Sequence, residues 1–167
     1  MSVLLQVSDP HFGTERTPVV DALVALAAQL RPDLVVLSGD ITQRARTEQF
    51  SAARAAMDRL GAPLLALPGN HDIALFDLWS RFVRTYARYS AAFGSDLAPV
   101  FASHDLLVIG VNTTRARRHK DGEVSSEQID AVARQLRQAT PGQLRVVVVH
   151  QPIDVMRAED LPNRLHN

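Results

Sequence analysis

Leu67-Pro68-Gly69-Asn70-His71-Asp72 carries an apolar segment, Leu64 to Leu67, straight into three side chains that bind metal or move protons. A Pro-Gly turn comes first. Then follow a neutral oxygen donor in Asn70, an imidazole in His71 and a carboxylate in Asp72 that is free to orient the imidazole. Few structural loops need all three, so the strand and its polar tip are the unit from which the rest of the chain is read.

The same arrangement occurs twice upstream. Val3-Leu4-Leu5-Gln6-Val7 is a nearly continuous apolar run ending in Ser8-Asp9-Pro10-His11, and Leu34-Val35-Val36-Leu37 ends in Ser38-Gly39-Asp40. Such runs suit strands buried on both faces. Between them Val20, Leu23, Val24, Ala27 and Leu30 recur at helical spacing until Pro32, and Phe50, Ala53, Met57 and Leu60 do so until Gly61 and Pro63. The order β-α-β-α-β with short connections predicts a parallel sheet with right-handed crossovers, whose ligands gather at the carboxyl ends of the strands.

Downstream, Phe76, Trp79, Phe82, Val83, Tyr86 and Phe93 form the stripe of a third helix, with Arg81, Arg84 and Arg88 largely off it. Core packing is the plain expectation for these aromatics and a lid over the site the alternative. Pro99 to Ser103 and Leu106 to Val111 flank His104-Asp105 and predict a hairpin that opens a second, antiparallel region. Arg115, Arg117, Arg118, His119 and Lys120 bunch in the polar stretch from Asn112 to Glu123, read as a solvated loop or, more sharply, as a phosphate-facing rim. Ser125 with Gln128 is a capping box for a helix carrying Ile129, Val132, Ala133 and Leu136. Leu144 to Val149 is a last buried strand, and it delivers His150.

Composition narrows the class. The 167 residues are expected to form a single domain, 1–167, with 46% hydrophobic and 22% charged residues, a globular balance. The 18 basic residues equal the 18 acidic ones, so no global field draws the protein to nucleic acid or anionic lipid, and any anionic substrate must be held locally. The absence of cysteine removes disulfides, thiolate metal sites and a cysteine nucleophile. No basic n-region precedes Asp9, and no apolar run approaches the ~20 residues that span a bilayer, so the chain is read as cytoplasmic.

Asp9, His11, Asp40, Asn70, His71 and His150 each follow directly on an expected strand, and parallel strands would bring all of them to one sheet edge. Oxygen and imidazole donors without sulfur suit two divalent ions drawn from Mn, Fe, Zn and Co. Asp40, on the central strand, can bridge two ions ~3.5–4 Å apart, the spacing that clamps the attacking and leaving oxygens of a phosphoryl displacement. Gly39 and Gly69 let the backbone turn beside such ions without a Cβ in the way.

Ser8-Asp9-Pro10-His11, Gly39-Asp40, Gly69-Asn70-His71-Asp72 and His150 resemble the calcineurin-like metallophosphoesterase family, and within it bacterial phosphodiesterases of the type that includes class III cyclic-nucleotide enzymes. The likeness implies an α/β fold, a four-layer αββα sandwich of two facing mixed sheets flanked by helices. It implies Asp9 and His11 on a first metal, Asp40 bridging, and Asn70 and His150 on a second. His71 would stay off the metals and assist the leaving group, with Asp72 fixing its tautomer, while a metal-bridging hydroxide attacks a small phosphoester, possibly of nucleotide type. Arg44 stands where related protein phosphatases carry a phosphate-contacting arginine, although Gln43 and Ala45 replace the neighbours of that motif.

The family's closing Gly-His-x-His block does not follow His150, and His166 lacks its context. The chain is therefore expected to be incomplete at its carboxyl end, with the last strands missing, metals weakly held, and an exposed sheet edge through which copies pair. The competing expectation is a catalytically impaired fragment or a non-catalytic scaffold of the same fold.

Overall fold

Strand β2 (Leu34–Ser38) is buried at every position, and it earns that burial by having a layer packed on each side. In this computed structural model, which describes residues 2–75, 77–118 and 121–166, β2 lies between β1 (Leu4–Ser8) and β3 (Leu64–Leu67), parallel to both. Side chains alternate along a strand, so Val35 and Leu37 face one way and Leu34 and Val36 the other.

The first face receives the crossover helices. Ala27 of α1 (Thr17–Leu30), Phe50, Ala53 and Met57 of α2 (Thr47–Asp58) and Tyr89 of α4 (Ala87–Phe93) close over Val35 and Leu37 in one core cluster. Helix α1 stops as expected before Pro32, with Arg31 in the left-handed region and its N–H on the Ala27 carbonyl. Both crossovers advance the strand order in the same direction, and the right-handed rule then places both helices on one side.

The second face meets another sheet. Leu34, Val36, Leu65 and Leu67 pack against Leu106, Val108 and Val148, which belong to β5 (Leu106–Gly110) and β6 (Leu144–Val148). That sheet has the order β4-β5-β6, with β4 (Val100–Ala102) antiparallel to β5 and β6 parallel to it. Since its inner face is taken, the β5–β6 crossover helix, α5 (Ser126–Gln138), is left the outer one. The four-layer αββα arrangement is thus present, with the mixing of strand directions confined to the second sheet. The expected capping box forms: Gln128 N–H reaches Ser125 Oγ at 3.3 Å, and Ser125 N–H reaches Gln128 Oε1 at 3.1 Å.

Three expectations need correction. The single aromatic helix is two, α3 (Leu78–Val83) and α4, because Thr85 Oγ1 donates to the Arg81 carbonyl and the chain restarts at Ala87. After that turn Tyr86, Tyr89 and Phe93 join the core, whereas Trp79, Phe82 and Val83 are 70%, 61% and 57% exposed; Phe76 lies outside the described residues. Arg81, expected off the apolar face, is buried and donates to the Ala74 and Arg118 carbonyls.

The polar stretch after Asn112 is not a free solvated loop. Asn112, Thr113 and Thr114 are buried, Arg117 and Arg118 bond Glu123, Arg118 also pairs with Asp121, and Arg115 bonds Gln128 and faces Glu123 at 3.7 Å. Those three arginines are occupied within the loop, so the phosphate-rim reading loses them; His119 and Lys120 lie outside the described residues. His166 pairs with Asp121 at 3.2 Å and stays in this corner. Among the described residues strand β6 borders β5 alone, with Leu144 65% and Val147 41% exposed. Among the described residues no helix is long and apolar enough to cross a membrane.

Candidate metal centre

The polar tips of β1, β2 and β3 meet the tip of β6 across the gap between the sheets. Pairing of β1 with β2 continues past the strands through His11 N–H to Asp40 O (3.0 Å), Phe12 N–H to Ile41 O (2.8 Å) and Gln43 N–H to Phe12 O (2.9 Å). These bonds hold the Asp9–His11 segment beside Asp40. His150, expected on the same sheet edge as the others, arrives instead from the facing sheet.

Backbone strain gathers here. Asp9, His11 and Asp40 all have positive φ, at 51°, 47° and 37°. Such conformations cost roughly 1–3 kcal/mol each for residues other than glycine and persist where the surroundings enforce them. Gly39, at φ 77°, is the turn that admits His150, since a Cβ there would overlap the His150 imidazole. A Cβ on Gly69 would overlap the Asp40 backbone.

Asp40 is the hub. Its Oδ1 lies 3.3 Å from His150 Nε2 and accepts the His71 backbone N–H at 2.8 Å; its Oδ2 lies 3.9 Å from His11 Nε2 and 4.0 Å from His71 Nε2. Burial raises the Asp40 pKa, but the hydrogen bond and charge of His150 and the His71 N–H outweigh it and leave the carboxyl below its ordinary value. For His150 burial lowers the pKa, while Asp40 and then Asp9 raise it to a net upward shift.

Two groups of potential ligand atoms lie within 4.8 Å of one another, His11 with Asp40 and His71, and Asp9 with Asp40 and His150. Asp40 is common to both, as a bridging ligand must be. The grouping differs in detail from the sequence expectation: Asp9 stands with His150 (3.6 Å) rather than with His11, and His71 faces the cluster that was to exclude it. Asn70 Oδ1 is 3.1 Å from His150 Nε2, on the side where it was expected. Among the described residues His11 Nδ1 and His150 Nδ1 are buried without a hydrogen-bond partner. Buried polar atoms are nearly always satisfied, and a cation beside Asp9 and Asp40 would satisfy His150 Nδ1, which lies 3.6 Å from Asp9 Oδ1. The residues therefore fit a pair of divalent ions.

Asp72 does not do what its place beside His71 suggests. It is 2% exposed and accepts four hydrogen bonds, from the N–H groups of Ile41 (3.0 Å), Thr42 (2.8 Å) and Gly69 (2.8 Å) and from Thr42 Oγ1 (2.8 Å). Burial pushes its carboxyl up to about 6 against the pull of those bonds. It ties the Gly69–His71 turn to the segment after Asp40, and the group that meets His71 Nδ1, at 3.1 Å, is the Gln43 carbonyl. No side-chain pattern advertises Gln43, because it acts through its main chain. Arg44 is exposed and lines a cavity that His71 and Asn70 also line.

Residues 2–164 match the sequence profile of the family described as calcineurin-like phosphoesterase. One relative, the glycerophosphodiester phosphodiesterase GpdQ of Enterobacter lignolyticus, is 37% identical over 83 residues, 42% of this chain and 29% of that protein. Another, a probable cyclic nucleotide phosphodiesterase of Synechococcus sp., is 25% identical over 158 residues, 89% of this chain and 57% of its own length. The chain thus spans little more than half of that relative. Among solved structures, the purple acid phosphatase PPD1 from yellow lupin (Lupinus luteus) seeds superposes with a TM-score of 0.70 at 11% identity, covering 92% of this chain and 31% of that one, a likeness of fold.

Proposed function

The chain belongs to the calcineurin-like phosphoesterase family, and we propose that it hydrolyses a small phosphodiester at the Asp40 centre with the help of two divalent metal ions. The observation that supports this most is that the two carboxylate oxygens of Asp40 face different imidazoles, Oδ1 toward His150 at 3.3 Å and Oδ2 toward His11 at 3.9 Å. Asp9, His11, Asn70 and His150 complete the donor set, which suits Mn, Fe, Zn or Co. The chemistry that such a pair of ions supplies when bound is polarisation of a phosphoryl oxygen and acidification of a water.

His71 supplies the proton. The Gln43 carbonyl accepts its Nδ1–H, which turns Nε2 toward the cluster and the departing oxygen. As water oxygen bonds to phosphorus, giving up a proton to solvent, and the ester P–O bond breaks, imidazolium Nε2–H protonates the leaving alkoxide, and solvent reprotonates the ring. Asn70 flanks the same space and orients the phosphoryl group, and Arg44 lines the cavity beside it. The relatives' names support a phosphodiester, of glycerol or nucleotide type, as the substrate. The protein works in the cytoplasm, and the open edge of β6 pairs with a second copy.

Turnover of bis(4-nitrophenyl) phosphate with added Mn²⁺ tests the reading. Activity abolished by chelation and by Asp40→Ala, and lowered about 10²–10⁴-fold by His71→Ala, is the expected result. Turnover that survives Asp40→Ala would overturn the Asp40 centre, and none at any metal concentration would overturn the hydrolase reading in favour of a scaffold.

A further inference from the structure

A cavity of about 400 Å³ opens beside the cluster, with Asn70 and His71 in its wall. On the reading above, His71 protonates the departing oxygen, so this cavity is where the leaving alcohol goes. Its lining is of two kinds. Ile73, Ala74 and Leu75 are apolar, the first two buried, and the polar rest of the wall carries Gln43, Asp77 and the cations Arg44, Arg46 and Arg88.

Arg88 is committed to the fold, donating to the Ala45 carbonyl and to Asp77 Oδ2, both at 3.1 Å. Arg44 and Arg46 differ: no ion pair engages either guanidinium among the described residues, although Arg54, Arg59, Arg115, Arg117 and Arg118 all face carboxylates. The segment that presents them is firmly held. Gln49 Oε1 accepts both of their backbone N–H groups, at 3.0 and 3.4 Å, and Ala45 between them is buried at φ 49°, with its N–H on Thr42 Oγ1. A strained alanine with a bond at each end is a built feature, and in a chain of zero net charge it displays two cations that no ion pair engages among the described residues over an apolar floor.

We propose that Arg44 and Arg46 form a specificity site for a second anion, carboxylate or phosphate, carried by the leaving arm of the substrate. The preferred substrate is then a phosphodiester whose leaving alcohol has an apolar body and an anionic end. This assignment rests on the hydrolase reading for the identity of the arm, but recognition of the arm does not require turnover.

Two measurements on the same proteins separate the two ideas. Binding of 4-(hydroxymethyl)benzoate, 4-(hydroxymethyl)phenylphosphonate and the neutral isostere 4-(hydroxymethyl)benzamide is followed by NMR titration in EDTA. Hydrolysis of the methyl phosphodiester of each alcohol is followed by ³¹P NMR with Mn²⁺. The anionic arms are expected to gain on the order of tenfold over the carboxamide in both Kd and kcat/KM, the scale of a charge-assisted hydrogen bond. The better of the two identifies the anion. The gain should vanish in Arg44→Gln/Arg46→Gln and persist in Arg134→Gln/Arg145→Gln, which removes two exposed cations elsewhere. Equal handling of charged and neutral arms, or a preference that survives loss of Arg44 and Arg46, overturns the assignment. Selective binding without turnover upholds it and overturns the hydrolase reading; turnover without charge preference does the reverse.

Discussion

Asp72 Oδ1 accepts hydrogen bonds from both the backbone N–H and the Oγ1 of Thr42, each at 2.8 Å. The pair locks the turn carrying Asn70 and His71 onto the segment that follows Asp40. Removing the carboxylate leaves buried N–H groups at Ile41, Thr42 and Gly69 without an acceptor, so Asp72→Ala should lose about 3 kcal/mol or more of stability. Urea unfolding checks this. His71→Ala, which removes a half-buried ring bonded to the Gln43 carbonyl, should stay within about 1 kcal/mol of the parent. A carboxylate that merely oriented His71 would show the opposite pattern, with stability kept and turnover lost.

The contact between His71 Nδ1 and the Gln43 carbonyl at 3.1 Å makes a different prediction. Because the acceptor is main chain, Gln43→Ala should leave the tautomer of His71 unchanged. Imidazole ¹⁵N shifts at a pH where the ring is neutral should report Nδ1–H in both proteins. A switch to Nε2–H in the variant would show that the Gln43 side chain sets the tautomer.

Glycines at positive φ are not equivalent. Gly39 (φ 77°) and Gly61 (φ 69°) carry a similar backbone penalty on substitution, but a Cβ at Gly39 overlaps His150 whereas one at Gly61 meets nothing within 4 Å. Gly61→Ala should cost about 1 kcal/mol. Gly39→Ala should cost more and also displace His150, weakening Mn²⁺ binding in calorimetric titration while Gly61→Ala leaves it intact.

Acid should act on a clamp far from the site. Hydrogen bonds from Ser2, together with one from Ser103, hold the Asp105 carboxyl down at about 2 against the opposing effect of burial. A depressed carboxylate contributes stability that is present above the unfolded pKa of about 3.9 and is lost as pH falls through the folded one. Asp105→Asn should therefore be less stable than the parent at pH 6, with the gap closing between pH 4 and 2. Melting temperatures at pH 6 and pH 3 measure it.

Much of this was legible in the chain because it is local. Apolar runs ending in Asp9, Asp40 and Asn70-His71 place donors at strand ends, and the spacing of Phe50, Ala53 and Met57 fixes which side α2 covers. What was not legible depends on non-local packing. The route of His150 from a second sheet needs the inter-sheet cluster of Leu65, Leu67, Val108 and Val148. Two of the three residues that bond Asp72, Ile41 and Thr42, lie some thirty residues away in sequence, about the length of a βαβ unit, and the break between α3 and α4 follows from a hydroxyl, Thr85, that periodicity ignores. Arg46 acquires meaning only beside Ile73 and His71, which the fold brings to one cavity.

The central claim is that Asp40 joins two metal sites, and Mn²⁺ titration followed by electron paramagnetic resonance tests it most directly. The parent chain should take up two ions with an exchange-coupled spectrum at saturation, and Asp40→Ala should lose the coupling and hold at most one ion, weakly. A single uncoupled ion in the parent, or a coupled pair that survives Asp40→Ala, would contradict the account.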